Sequence, residues 1–161
     1  NVQSVQIIFN MFRHRPSELF FEQAKKRKVG ILARVPLASG MLVGKFKPSS
    51  TFSTDDHRNF NRDGAVFDRG ETFSGVDYET GLDAVDEIKA LCPEGVSMPQ
   101  FALRWITMFP AVTCAIPGAK RPSQAEDNAN AADLPALSDE TMTAIQGIYD
   151  KYVKEQVHHR W

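Results

Sequence analysis

Short apolar runs alternate with longer amphipathic stretches along this chain, and that rhythm predicts its architecture. Residues 5–9 (VQIIF) form a β-branched, apolar run that predicts a buried strand. Pro16 stands where the first turn of a helix tolerates it. Residues 17–28 then carry Glu18 early and Lys25, Lys26, Arg27 and Lys28 late, a polarity that complements a helix dipole. Gly30 is expected to close that helix before a second strand core at 31–33. Further on, Leu82, Val85, Ile88 and Leu91 follow helical spacing. Ser97 and Gln100 make a capping-box pattern with Pro99 in the first turn. Phe101, Ala102, Trp105, Ile106, Met108 and Phe109 cover a broad arc, so the helix they belong to is expected to be largely buried. Residues 112–116 predict a third strand, and another helix begins near Pro122. A final amphipathic helix opens at Ser138, with Asp139 and Glu140 in its first turn, and buries Met142, Ile145, Tyr149 and Tyr152.

Residues 46–79 break this rhythm. They are rich in Ser, Thr, Asp, Asn, Arg and Gly, yet Phe52, Phe60, Phe67, Phe73 and Tyr78 are interleaved among them. A long loop inside a compact domain is usually functional or disordered, and the interleaved rings predict one that packs down.

The order strand, helix, strand, loop, two helices, strand, two helices places the chain in the α/β class, with parallel strands joined by right-handed crossovers. Three parallel strands alone would leave two open edges, whereas parallel sheets normally have both faces covered. An eight-fold (β/α) barrel removes both difficulties but needs about 250 residues. The 161 residues here would supply about three parallel βα units of such a barrel, read as one domain over 1–161 with 46–79 inserted after the second strand.

Composition narrows the function classes. A net charge of -1 lacks the basic excess of a nucleic-acid-binding protein. No apolar run approaches the roughly 18 residues that span a bilayer. Two cysteines, Cys92 and Cys114, without C-x-x-C spacing suit a reduced, cytoplasmic protein, and Cys114 is expected to be a small buried hydrophobe within its strand. His14, His57, His158 and His159 have no partners at metal-ligand spacing and read as loop, tail and surface residues; no metal is expected.

Two segments after strands carry candidate chemistry. In the first, Pro36, Leu37, Ala38, Ser39 and Gly40 predict a tight turn whose backbone N–H groups can face a pyrophosphate. Ser39 adds a hydroxyl donor, and Lys45 a point charge. In the second, Ile116, Pro117 and Gly118 end a strand, and Lys120 and Arg121 stand at a helix N-terminus that already favours an anion. Their charges suit a 2′-phosphate, with Arg121 able to bind bidentately or to stack on adenine. Gln124 and Asn128, four apart, share one side of that helix.

The runs VQIIFNMF, GILARVPLASGMLVGK, MPQFALRW and IPGAKRPSQAEDN, with the ending VHHRW, together resemble the C-terminal half of a bacterial-type aldo-keto reductase. The resemblance covers almost the whole chain in order. It implies the C-terminal part of a TIM (β/α)8 barrel, strands 6 to 8 with the N-terminal strands absent, using NADP(H) to reduce a small-molecule aldehyde or ketone. It further implies that Gln6 holds the nicotinamide carboxamide, that Leu42 and Gly44 lie where the chain folds over the diphosphate, and that Gln124 and Asn128 contact the adenosine end. Arg34 replaces an aromatic ring that stacks on nicotinamide in many members. The family's catalytic Tyr, Lys, Asp and His belong to earlier strands, so no catalytic residue is assigned and the chain alone is expected to be inactive. The loop at 46–79 and the tail at 153–161, with Trp161, are expected to wall the substrate pocket. Alternatives are a nicotinamide-nucleotide-binding regulatory or scaffold protein without turnover, and a half-barrel that dimerises through its open strand edges.

Overall fold

A computed structural model describes residues 1–160, so Trp161 and its expected place beside the substrate pocket lie outside the described residues. Three parallel strands, β1 (Ser4–Ile8), β2 (Gly30–Arg34) and β3 (Val112–Ala115), form one sheet in the order β1-β2-β3. Among the described residues seven α-helices accompany them: α1 (Phe20–Lys26), α2 (His57–Phe60), α3 (Tyr78–Ala90), α4 (Met98–Thr107), α5 (Pro122–Asn130), α6 (Asp139–Ile148) and α7 (Lys154–Val157). Several 3-10 turns lie between them, and a π turn, Tyr149–Val153, joins α6 to α7.

Register divides the sheet into two faces. Val5 pairs with Ile31 and Ile31 with Val112, and this set packs into the helical core with Ile7, Ala33 and Ala115. Gln6 pairs with Leu32 and Leu32 with Cys114, and these point to the opposite face, where Gln6 and Cys114 are exposed. Two expectations are corrected here. The first strand is buried only at its end and on its helix-facing side, and Cys114 is exposed rather than buried. The cause is shared: strand alternation sends every second residue to a face that no helix covers.

Helix boundaries follow local chemistry. Pro16 lies in the first turn of a short 3-10 helix (Arg15–Ser17), and α1 begins only at Phe20. Lys28, not Gly30, takes the left-handed conformation after α1, at φ 56°. Gly30 instead opens β2, where a Cβ would come within 3.3 Å of Thr113 Oγ1. The capping box at α4 forms as expected, Gln100 Oε1 accepting from the Ser97 N–H at 3.2 Å. Phe9, Phe21, Trp105 and Phe109 make the aromatic heart of the core, with Phe9 against Trp105 at 5.1 Å. Trp105 in turn stacks on His14, which is 4% exposed, so the expectation of a surface His14 is also corrected: its ring is flat and apolar enough to complete the stack. In the last helical stretch Ile145, Tyr149, Val153 and Val157 are buried, whereas Met142 and Tyr152 are only partly so.

Residues 46–79 contain α2 and two 3-10 turns, Arg69–Glu71 and Phe73–Gly75. Phe46, Phe52, Phe73 and Tyr78 form a ring cluster with centroids 5.2–6.3 Å apart. The Arg58 and Arg62 guanidiniums lie over those rings, at 4.7 Å from Phe52 and 4.6 Å from Tyr78. The Arg34–Glu71 ion pair ties the 69–71 turn of this segment to the C-terminal end of β2.

Candidate functional site

A cleft of about 1100 Å³ opens at the carboxyl ends of β2 and β3. Open α/β sheets bind ligands in this position, because strand ends and helix N-termini converge there. The 35–45 turn forms one wall and the 116–128 segment the opposite one. Twelve residues singled out from sequence meet across it: Pro36, Leu37, Ser39, Gly40, Gly44 and Lys45 on the first wall, Ile116, Gly118, Lys120, Arg121, Gln124 and Asn128 on the second. Three others do not line it. Gln6 sits mid-strand on the uncovered sheet face, Arg34 is ion-paired to Glu71, and the Leu42 side chain is fully buried in the core.

The first wall is built on an unusual backbone. Val35, Ala38 and Ser39 all adopt positive φ, at 53°, 47° and 55°, and Gly40 and Gly44 follow at 93° and 72°. Left-handed conformations are disfavoured for side chains with a Cβ, most of all β-branched ones, and they cluster where a binding loop is held by its surroundings. Here the surroundings are identifiable. Ser39 Oγ donates to the Glu71 carbonyl at 2.9 Å and accepts from the Phe73 N–H at 3.1 Å. The hydroxyl expected to face a phosphate is therefore engaged in tying the turn to the 69–75 segment. The correction is physical: a half-buried N–H and C=O sit within its reach, and leaving them unpaired is costly.

The second wall is likewise organised by its polar side chains. Gln124 Oε1 accepts from the backbone N–H of Lys120 at 2.8 Å and of Arg121 at 3.2 Å. Asn128 Nδ2 reaches the Gly118 carbonyl at 3.4 Å. Both amides thus shape the loop that presents Lys120 and Arg121 at the N-terminus of α5, whose Pro122 needs no hydrogen-bond acceptor.

Sequence reasoning missed several residues of the cleft, among them His57, Arg58, Glu71, Lys89 and Asp127. The signal available was the Asp56-His57-Arg58 triplet within an aromatic-rich loop. Asp56 caps α2 through the Arg58 N–H at 2.9 Å and binds the same guanidinium through both carboxylate oxygens. That contact holds the Asp56 carboxyl far below the usual carboxylate range and raises Arg58. Five basic side chains, Lys45, Arg58, Lys89, Lys120 and Arg121, line the cleft against two acidic ones, Glu71 and Asp127. A chain of net charge -1 therefore concentrates positive charge at this one opening.

A sequence pattern describing the aldo/keto reductase family matches residues 1–150. The chain belongs to this family. It is 30% identical over 159 residues to a probable voltage-gated potassium channel subunit beta of Arabidopsis thaliana, covering 94% of this chain and 45% of that protein. It is 29% identical over 127 residues to the aldo-keto reductase YhdN of Bacillus subtilis, covering 78% of this chain and 36% of that one. The solved glycerol dehydrogenase AKR11B4 of Gluconobacter oxydans superposes with a TM-score of 0.74 at 28% identity, over 93% of this chain and 43% of that structure. The chain thus spans less than half the length of the relatives it matches. Its three βα units correspond to the C-terminal part of an aldo/keto reductase (β/α)8 barrel.

Among the described residues no cluster of three His, Cys, Asp or Glu could hold a metal ion, and no helix is long and apolar enough to cross a membrane.

Proposed function

We propose that this chain is the cofactor-holding half of an NADP(H)-dependent oxidoreductase that interconverts aldehydes or ketones and alcohols. The observation that carries the reading is the meeting of the two strand-end motifs across one basic cleft. In this reading Lys120 and Arg121 take the 2′-phosphate at the N-terminus of α5, where the helix dipole adds to their charge. Lys45 and the 36–40 turn face the pyrophosphate, and Gln124 and Asn128 keep the second wall in shape. When bound, the nicotinamide supplies the hydride. The protein's part is to orient that ring against the carbonyl carbon and to deliver a proton to the oxygen.

The proton donor is not among the tyrosines of this chain. Tyr78 OH donates to the Lys47 carbonyl, Tyr149 OH meets His158 Nδ1 at 2.9 Å, and Tyr152 OH donates to Glu87. None of the three lines the cleft. This supports the reading that the 161-residue chain contributes cofactor binding and no acid. The test is a titration of the chain with NADPH, followed by nicotinamide fluorescence, beside an assay with a reactive aldehyde. Saturable binding without turnover is expected. No binding overturns the cofactor assignment, and turnover above an enzyme-free blank overturns the division of labour.

The similarity to a probable channel subunit favours one second reading: a nicotinamide-nucleotide-binding regulatory protein that acts on a protein partner. Cofactor binding without turnover by a fusion of this chain to the N-terminal strands of a family member, catalytic tyrosine included, selects this reading over the enzyme.

A further inference from the structure

Asn10 is fully buried just beyond β1, outside the cleft, and sequence reasoning gave it no role. Its amide joins three elements. Nδ2 donates to the Val35 carbonyl at 2.8 Å and to Ser74 Oγ at 2.8 Å, while Oδ1 accepts from the Phe12 N–H at 2.8 Å. One donor therefore reaches the first residue of the cleft turn and the other the segment lying over it.

Both of those acceptors belong to backbone that is locally unfavourable. Val35 is β-branched at φ 53°, and Phe73 and Ser74 are at 50° and 58°. A β-branched residue at positive φ is an outlier that survives only where its neighbours over-determine it. The Val35 carbonyl also accepts the Ala38 N–H at 3.0 Å, so the turn closes on the same oxygen that Asn10 holds. Ser39 makes the parallel connection from the turn to Glu71 and Phe73. Two strained tracts, 35–40 and 73–75, are thus locked to each other, and among the described residues Asn10 is the one side chain that bonds to both and to β1's own continuation.

We propose that Asn10 is a positioning residue: its carboxamide holds the Val35 turn in the left-handed form that directs Pro36, Leu37 and Gly40 into the cleft. The part of this proposal that concerns ligand affinity rests on the cofactor reading above; the part that concerns the turn does not. It assigns Val35 a matching role, because the strain it introduces makes the turn depend on Asn10. Glycine at 35 adopts positive φ freely, so Val35→Gly is expected to release that dependence.

The test uses the 161-residue chain as parent, Asn10→Ala, Val35→Gly, the double variant and Ser74→Ala. Amide hydrogen exchange is read on peptides spanning 33–42 and 70–76, with α4 as internal reference, and NADPH binding is titrated in parallel. Asn10→Ala is expected to speed exchange in both peptides at least tenfold with α4 unchanged, and to weaken NADPH at least tenfold. Adding Val35→Gly is expected to return 33–42 exchange and NADPH affinity to within threefold of the parent, while 70–76 stays fast. Parental exchange in 33–42 for Asn10→Ala, or no rescue by Val35→Gly, overturns the proposal. Should Asn10→Ala fail to fold, Ser74→Ala decides: exchange at least threefold faster in 70–76 with 33–42 unchanged supports separate arms from Asn10, and unchanged 70–76 overturns them. If the parent binds no NADPH, the cofactor reading falls and the exchange results alone decide the proposal.

Discussion

The imidazole of His14 lies flat against the phenol ring of Tyr149, with centroids 4.0 Å apart and planes 9° from parallel. Its other face stacks on Trp105 at 4.7 Å. Nε2 is 2.9 Å from the Met11 carbonyl, an acceptor only, so Nε2 carries the proton and donates it there. Nδ1 lies 2.9 Å from Gln146 Oε1, and the Gln146 NH2 donates to Asp150 Oδ1 at 3.2 Å.

Burial lowers the His14 pKa to about 4 from its ordinary 6.5. The folded state therefore refuses a proton that the unfolded chain accepts below pH 6.5. Stability is expected to fall as pH drops from about 6.5 to about 4 and to level off beneath that, losing up to about 3 kcal/mol. Urea denaturation at pH 7, 5.5 and 4.5 measures the slope. His14→Phe keeps a ring in the stack, loses the titration, and should flatten that slope by a comparable amount.

Ser39→Ala should destabilise the fold by about 1–3 kcal/mol, because the Phe73 N–H and Glu71 carbonyl would both lose their partner. Denaturant midpoints for Ser39→Ala and Ser39→Thr report it. If Ser39 instead serves only as a phosphate ligand, the alanine variant keeps parental stability in the absence of cofactor.

Replacing Lys120 and Arg121 together by alanine should weaken NADP(H) at least tenfold and NAD(H) less than threefold, since only the former carries the additional phosphate. Parallel fluorescence titrations check this. Equal losses would remove the 2′-phosphate assignment while leaving the cleft as a nucleotide site.

Gly81 in α3 has no room for a side chain: a Cβ there would overlap Met41 Sδ, and Met41 is fully buried under the cleft turn. Gly81→Ala should cost about 1–3 kcal/mol by overpacking. A thermal midpoint equal to the parent's would mean that Met41 has space to move.

Cys114 should react with a maleimide much faster than Cys92. The first is exposed, whereas Cys92 is half-buried, its thiol pushed up by desolvation and donating to the Val96 carbonyl. Mass spectrometry after brief labelling, with Cys114→Ser as control, distinguishes them.

Local signals made much of this legible before any coordinates. The three strands, the capping box at Ser97 and the Pro122 helix start depend on residues within four positions of each other. The two cleft motifs were legible for the same reason, each being a contiguous turn after a strand. What escaped were contacts between segments distant in sequence. Nothing near Arg34 reveals that Glu71 will pair with it, nothing near Ser39 that Phe73 will claim its hydroxyl, and nothing near Asn10 that Val35 and Ser74 will meet there. The exposure of Cys114 escaped differently, since an apolar strand pattern does not say which of its two faces will be covered.

The last helix misleads in a way that has a consequence for the whole carboxyl end. Ile145, Tyr149, Val153 and Val157 are buried at steps of four residues. An undistorted α-helix turns about 100° per residue, so each such step overshoots by about 40° and three of them by about 120°. The widened turn at Tyr149–Val153 absorbs that drift and keeps all four side chains on one line. It acts as a spacer in the screw of the helix. Shortening it by one residue would spin everything downstream about a quarter turn, lifting Val157 from the core and swinging His158 away from Tyr149. It would also draw the Val157 and His158 carbonyls off the Arg13 and Arg15 guanidiniums that bind them at 3.3 and 2.5 Å.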